Sequence, residues 1–204
     1  LIFTFLCVGI FAFYNNQPNN LKFGELTPIT ATDEKEFQPS YSPNGRYLAF
    51  NRYLGGCHSQ LWIKDIELNK EHLLTKKVGI YGQVAWSPDG AQLAFSEAKT
   101  CEAQQTNTCR AISTLPFAIA LQSPQQTHEL LACGKESYGG INWINNDDLV
   151  FMARESGSVA VKRMNTNTSA VSTLYQDLST IPTAISYSGK LNKLAITLHK
   201  KAEK

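Results

Sequence analysis

Five cysteines and four histidines are the residues of this chain best suited to covalent or metal chemistry. Cys57, Cys101, Cys109 and Cys133 are spread across the middle of the sequence, while Cys7 sits in an apolar run near its start and reads as a small buried hydrophobe. Zinc needs thiolates and imidazoles in tight local pairs. No CxxC or HxxxH occurs, and neither His58 nor His128 has a partner in register. Disulfide formation is the chemistry left to Cys57, Cys101, Cys109 and Cys133, and four cysteines allow three pairings. The carboxylates of Asp33-Glu34-Lys35-Glu36 could in principle transfer protons, but the run reads as a solvated loop. Asn146-Asp147-Asp148 reads as turn chemistry rather than a calcium loop, and Lys76-Lys77 as a solvated turn. No GxSxG, phosphate loop, HExxH or dinucleotide fingerprint is present. The residues therefore assign no catalytic side chain, no cofactor-binding side chain, no metal ligand and no cofactor, and the chain is not expected to be an enzyme.

The elements that must carry these residues announce themselves by repetition. YSPNGRYLAF at Tyr41–Phe50 returns as WSPDGAQLAF at Trp86–Phe95, as the shorter WINNDDLVF at Trp143–Phe151, and as YSGKLNKLAI at Tyr187–Ile196. The copies begin 45, 57 and 44 residues apart, a period that points to stacked supersecondary units. Each copy reads as strand, tight turn, strand. An aromatic residue ends the first strand, Pro presets φ, and Asn44-Gly45 or Asp89-Gly90 tolerates positive φ. The third copy has Asn145-Asn146-Asp147 instead, residue types that can also enter the left-handed region. The fourth lacks the Asp-Gly pair. Leu48-Ala49-Phe50 and Leu93-Ala94-Phe95 are short apolar runs, as expected for strands covered on both faces. Two more strands fit each period: Gln60–Ile66 and Glu71–Thr75, then Phe117–Leu121 and Thr127–Leu131, then Val159–Met164 and Ala170–Tyr175. Four short antiparallel strands per unit make the blade of a β-propeller.

A second spacing concerns ring closure. Eleven residues separate Thr75 from Trp86, Ala132 from Trp143 and Gln176 from Tyr187, and the same interval counted back from Tyr41 reaches Thr30. Leu26–Thr30 (LTPIT) thus has the register of an outermost strand, expected to close the ring against a last blade. The expected fold is all-β, a partial propeller. It has three blades at about residues 37–75, 83–131 and 139–175, the opening hairpin of a fourth at 183–197, and a closing strand. A ring of six to eight such units takes roughly 270–360 residues, so these units are expected to form an arc.

On this plan the four central cysteines fall outside the strands. Cys101 and Cys109 bracket CEAQQTNTC, the loop between the second and third strands of the second blade, and a hairpin brings such ends together. The expected bond is Cys101–Cys109, with Cys57–Cys133 as a further pair on the same face. Disulfides imply an oxidising compartment. Trp62, Trp86 and Trp143 occupy strand or repeat-equivalent positions and read as blade-to-blade core rather than a ligand cage.

Net charge is +2 over 204 residues, with 18% charged and 43% apolar residues, an ordinary globular balance. The positive charges form no stripe, which argues against nucleic acid binding by this portion. Leu1–Tyr14 carries no charge. At 14 residues it is shorter than the ~20 of a spanning helix, and it is the length of a secretory signal core. The polar, bulky residues that follow do not match a signal cleavage site, so residues 1–14 read as part of a membrane-spanning segment, 15–23 as linker, and 24–204 as propeller.

YSPNGRYLAF and WSPDGAQLAF, with QLWIKDI following the first, resemble the TolB-type, WD-like propeller repeat over about residues 24–198. An apolar segment, a short linker, then LTPIT and FQPSYSPNG is similar to the order found in CadC/ToxR-type membrane-anchored transcriptional regulators. That resemblance implies a periplasmic sensor propeller in the bacterial inner membrane, with residues after about 15 in the periplasm. It also implies a protein or small-molecule ligand on a propeller face, and DNA contact only through a winged-helix domain absent from this sequence. A TolB-like scaffold and the non-catalytic propeller of a prolyl-oligopeptidase-type peptidase are the other expectations of the same repeat.

Overall fold

The computed structural model describes residues 24, 26–30, 32–98 and 109–201. The chain divides into two units, residues 1–31 and 32–204. In the first, Leu26–Thr30 form no strand, so the expected closing strand is not seen. A strand is defined by its ladder, and these residues join none of the sheets described below. The apolar run 1–14 and the linker 15–23 lie outside the described residues. Among the described residues no helix is long and apolar enough to cross a membrane.

The second unit is built of antiparallel sheets, each in chain order from one hairpin to the next. β1 (Glu36–Tyr41), β2 (Tyr47–Gly55), β3 (His58–Asp65) and β4 (Lys70–Leu73) form the first sheet. In the second, the inner strand is split into β5 (Ile80–Tyr81) and β6 (Ala85–Trp86), which both pair with β7 (Gln92–Ala98). β8 (Arg110–Pro116) and β9 (His128–Leu131) complete it. β10 (Ser137–Trp143), β11 (Asp148–Glu155), β12 (Ser158–Asn165) and β13 (Val171–Tyr175) form the third, and β14 (Thr180–Ser188) pairs with β15 (Lys193–Lys200) as a hairpin. These are the expected blades.

One element differs. Phe117–Gln122 is a short helix, α1, rather than the third strand of the second blade; that strand is β8. Phe117 and Ala120, three residues apart, are the buried face of α1, and Pro116 sits at its N-cap. The extra length of the 57-residue period is therefore shared between the segment after β7 and this helix.

Alternation along the strands lets each blade face two neighbours. Leu93 and Phe95 pack with Ala49, Leu61 and Ile63 of the first sheet, while Ala94 and Ile112 pack with Leu149, Phe151 and Met164 of the third. Edge-on rings of Tyr47 and Trp86 against Phe117, at 4.9 and 4.8 Å, close the first interface. This double coverage explains why LAF and LVF are unbroken apolar runs: Phe95, Phe151, Leu93 and Leu149 are all fully buried.

The repeated phrase is a hydrogen-bonded clasp. Gly45 N–H donates to Ser42 O and Gly90 N–H to Ser87 O, a type I arrangement with Ser first, Pro second and Gly last. Ser42 Oγ donates to Asn44 Oδ1 at 2.7 Å, and Ser87 Oγ to Asp89 Oδ1 at 2.6 Å. Each hydroxyl also accepts the N–H that opens the next strand, from Tyr47 and Gln92. Only the glycines take positive φ, +73° and +72°. The third turn does not use the left-handed region, contrary to expectation. Asn145 Oδ1 accepts the N–H groups of Asp147 and Asp148, both at 2.8 Å, and shapes the turn itself. In the fourth, Asn192 takes the left-handed conformation.

Candidate functional site

The first strand of each blade lines a central channel. β1, β5, β6, β10 and β14 enclose a cavity of about 800 Å³. A kink recurs in every inner strand: register shifts lie between Phe37 and Ser40, Gly139 and Asn142, and Pro182 and Ala184, and β5 is separated from β6 by Gly82-Gln83-Val84. Such bulges leave backbone groups out of the ladder and re-aim side chains. Gln38, Gln83 and Asn142 bring amides to the cavity, and Tyr41, Trp86, Trp143 and Tyr187 bring aromatic surface.

Hydrogen bonds fix the inner strands to each other. Asn51, fully buried on β2, donates through Nδ2 to Gln38 Oε1 and to Gly82 O, tying the first inner strand to the second. Trp86 Nε1 donates to Ser40 O at 3.2 Å, and Trp143 Nε1 to Ala85 O at 3.1 Å. In both cases the acceptor immediately precedes the motif aromatic of the preceding blade. Trp86 and Trp143 thus join blades, as the sequence implies, while their faces also border the channel. Trp62 does not follow this pattern. It lies on β3 beneath the Arg52 guanidinium, 4.3 Å from the ring centroid.

Arg52 is buried, and Glu34, Glu36 and Glu71 surround it at 3.2, 2.6 and 2.7 Å. Glu34 and Glu36 therefore ion-pair with Arg52 instead of lying in a freely solvated loop; the sequence places Arg52 in the next strand and gives no cue to this pairing. At the opposite, motif-bearing end of the sheets, Asp148 is buried and takes Arg163, and Asp65 takes Arg46. Their guanidinium hydrogen bonds hold both carboxyls below the ordinary range. Asp89 is held down too, chiefly by the Ser87 hydroxyl. Lys76 and Lys77 are exposed.

Tyr81 lies on the channel wall with its hydroxyl donating to Lys77 O, and burial pushes its pKa up to about 12. Arg110, at the start of β8, is the one charged residue lining the channel among the described residues. Among the described residues no ion pair engages it, and burial holds its guanidinium below the ordinary value. Arg110 is the lining residue that sequence reading missed, since one basic residue beside a cysteine carries no signal.

The cysteines correct the expected pairing. Cys109 is bonded to Cys133, with a Cα–Cα distance of 5.7 Å, and not to Cys101. Cys133 is therefore not the partner of Cys57, which is itself disulfide-bonded. The reason lies in the β8–β9 ladder, which pairs Ile112 with Leu131 and so brings the residue before β8 beside the residues after β9. The expected Cys101–Cys109 bond follows from the hairpin joining the second strand to the third and the Cys57–Cys133 bond from a shared face, and neither takes account of this ladder. Cys101 lies outside the described residues, and among the described residues no group of His, Cys, Asp and Glu is arranged to hold a metal.

No protein-family model and no curated protein matches the chain. Solved structures do. TolB from Acinetobacter baumannii aligns over 74% of this chain and 34% of its own, at 20% identity and a TM-score of 0.56. A TolB-type protein from Agrobacterium tumefaciens aligns over 67% of this chain and 47% of its own, at 17% identity and 0.53. Porphyromonas gingivalis dipeptidyl peptidase 4 aligns over 79% of this chain and 29% of its own, at 15% identity and 0.56. This chain spans less than half the length of each. The identities are low and the likeness is one of backbone, so together with the bladed sheets it assigns the fold: a TolB-like β-propeller.

Proposed function

We propose that this chain is a non-catalytic, extracytoplasmic binding propeller, the periplasmic sensor of a membrane-anchored, CadC-like winged-helix regulator. The single observation that carries the extracytoplasmic reading is the Cys109–Cys133 disulfide, since such bonds persist in oxidising compartments. The lined cavity supports a binding role, because ligands seat in concave sites where polar groups converge beside apolar surface. In this reading Leu1–Tyr14 is the anchor, a protein or small molecule occupies the channel face, and DNA is met only through a domain outside this sequence. Occupancy is transmitted only if the ligand binds two receptor states unequally. A TolB-like scaffold that binds envelope proteins is favoured instead by the backbone likeness to TolB.

Topology reporters on the full-length protein test this. Alkaline phosphatase joined after Lys201 should be active and β-galactosidase silent, with the protein in the carbonate-washed membrane fraction and the detergent-solubilised form retaining promoter DNA. An active β-galactosidase fusion removes the extracytoplasmic reading. A soluble periplasmic protein that retains no DNA moves the assignment to the scaffold.

A further inference from the structure

The channel wall is built of aromatic rings, aliphatic side chains and amides, and among the described residues one half-buried cation, Arg110, stands within it. Cys109, the residue before Arg110, is bonded to Cys133, and Arg110 N–H donates to Ser137 Oγ at 3.1 Å. The position is thus fixed to its own blade by a covalent bond and to the inner strand of the next by a hydrogen bond. The other buried or half-buried arginines, Arg46 and Arg52, rest on carboxylates. A desolvated guanidinium without a counter-charge is costly, and an anion delivered by a ligand relieves that cost. We infer that the channel takes ligands bearing a single carboxylate, with Arg110 as the group that receives it.

One guanidinium matches one planar monoanion through parallel N–H···O bonds. A phosphate dianion calls for further cations, and none lines the cavity among the described residues. Gln38, Gln83 and Asn142 offer donors and acceptors to the amide groups of such a ligand, with Trp86 and Tyr187 beside them as apolar surface. The carboxylate has two sources, a small organic acid or the C-terminus of a peptide. This inference rests on the channel being the binding site.

Calorimetry on the intact protein separates the cases, with benzoate against benzamide and acetyl-Ala-Tyr-Ala against its C-terminal amide. Wild type should prefer an acid over its amide by about tenfold or more, as charge-assisted hydrogen bonds do. Arg110→Met should abolish the preference while leaving amide binding unchanged and the unfolding midpoint no lower than that of wild type, because the bond to Ser137 is made by the main chain and an uncompensated charge is removed. Arg110→Lys should keep part of it. Equal binding of acid and amide by wild type, or a preference that survives in Arg110→Met, overturns the anion site and leaves the channel reading standing. If no probe binds wild type, both fall. Whether benzoate or the peptide acid shows the larger preference identifies the source.

Discussion

Trp143 reaches out of its own blade and donates its indole N–H to the carbonyl of Ala85, the residue before the motif aromatic of the preceding blade, at 3.1 Å. Trp86 and Ser40 repeat the relationship one blade earlier. The bond and the ring contribute separately to the interface. Trp143→Phe keeps the ring and leaves the Ala85 carbonyl without its donor, which should cost about 1–2 kcal/mol. Trp143→Ala also removes a large buried side chain and should cost about 3–5 kcal/mol. Urea unfolding of the two variants gives the comparison; a Trp143→Phe variant as stable as wild type would show that the bond contributes nothing.

Gly140 holds φ at +60°, and a Cβ built there would stand 2.6 Å from Met152 Cε. Gly140→Ala should therefore destabilise by about 1–3 kcal/mol, through both left-handed strain and the clash. Adding Met152→Ala relieves the clash alone. The double variant should be less stable than Met152→Ala by about 1 kcal/mol, the part due to φ, as read from thermal unfolding. A double variant as stable as Met152→Ala would show that φ carries none of the cost.

Asp148, Asp89 and Asp65 titrate below the ordinary carboxyl value in the folded chain. A depressed folded pKa means that folding favours the ionised form. The stability these groups contribute is complete above about pH 4, the unfolded value, and is lost as pH falls through the lower folded values. The urea midpoint should stay level from pH 7 to pH 5 and drop below pH 4. Asp148→Asn should start lower at pH 7 and drop less over the acid range. A parallel drop in both proteins would separate Asp148 from the effect.

The disulfide closes a loop between residues 24 apart. In the chain-entropy view, removing it should cost about 3 kcal/mol. Cys109→Ser should expose the Cys133 thiol to alkylation under native conditions and leave Cys57 unreactive. Mass analysis with and without reductant checks both. Alkylation of Cys57 in that variant would mean that the bonds are interdependent.

Blade number, strand order and the double burial of the LAF runs were legible because they rest on local periodicity and turn chemistry repeated at a fixed interval. The Ser hydroxyl clasp was half legible: Pro and Gly mark the turn, whereas the bond from Ser87 Oγ to Asp89 follows only from geometry. The spacing predicts a strand at Phe117–Leu121 where the chain forms the helix Phe117–Gln122, because a long period does not say where its extra residues go. The Cys109–Cys133 bond and the Arg52 ion-pair cluster depend on which strand ends meet across a ladder, information held by register and not by composition. The role of Arg110 depends on the cavity around it, whose described lining holds no acidic side chain, and not on its neighbours in sequence.

Both ends of the Cys109–Cys133 bond belong to a single blade, flanking β8 and β9. This crosslink stiffens the blade as a plate and does not itself cross the seams with the neighbouring plates, where side-chain packing and the Arg110–Ser137 hydrogen bond meet. Sheets stacked in this way can shift at these seams without altering that crosslink. Ser137, on the far side of one seam, would then report any such breathing directly to the main chain of Arg110.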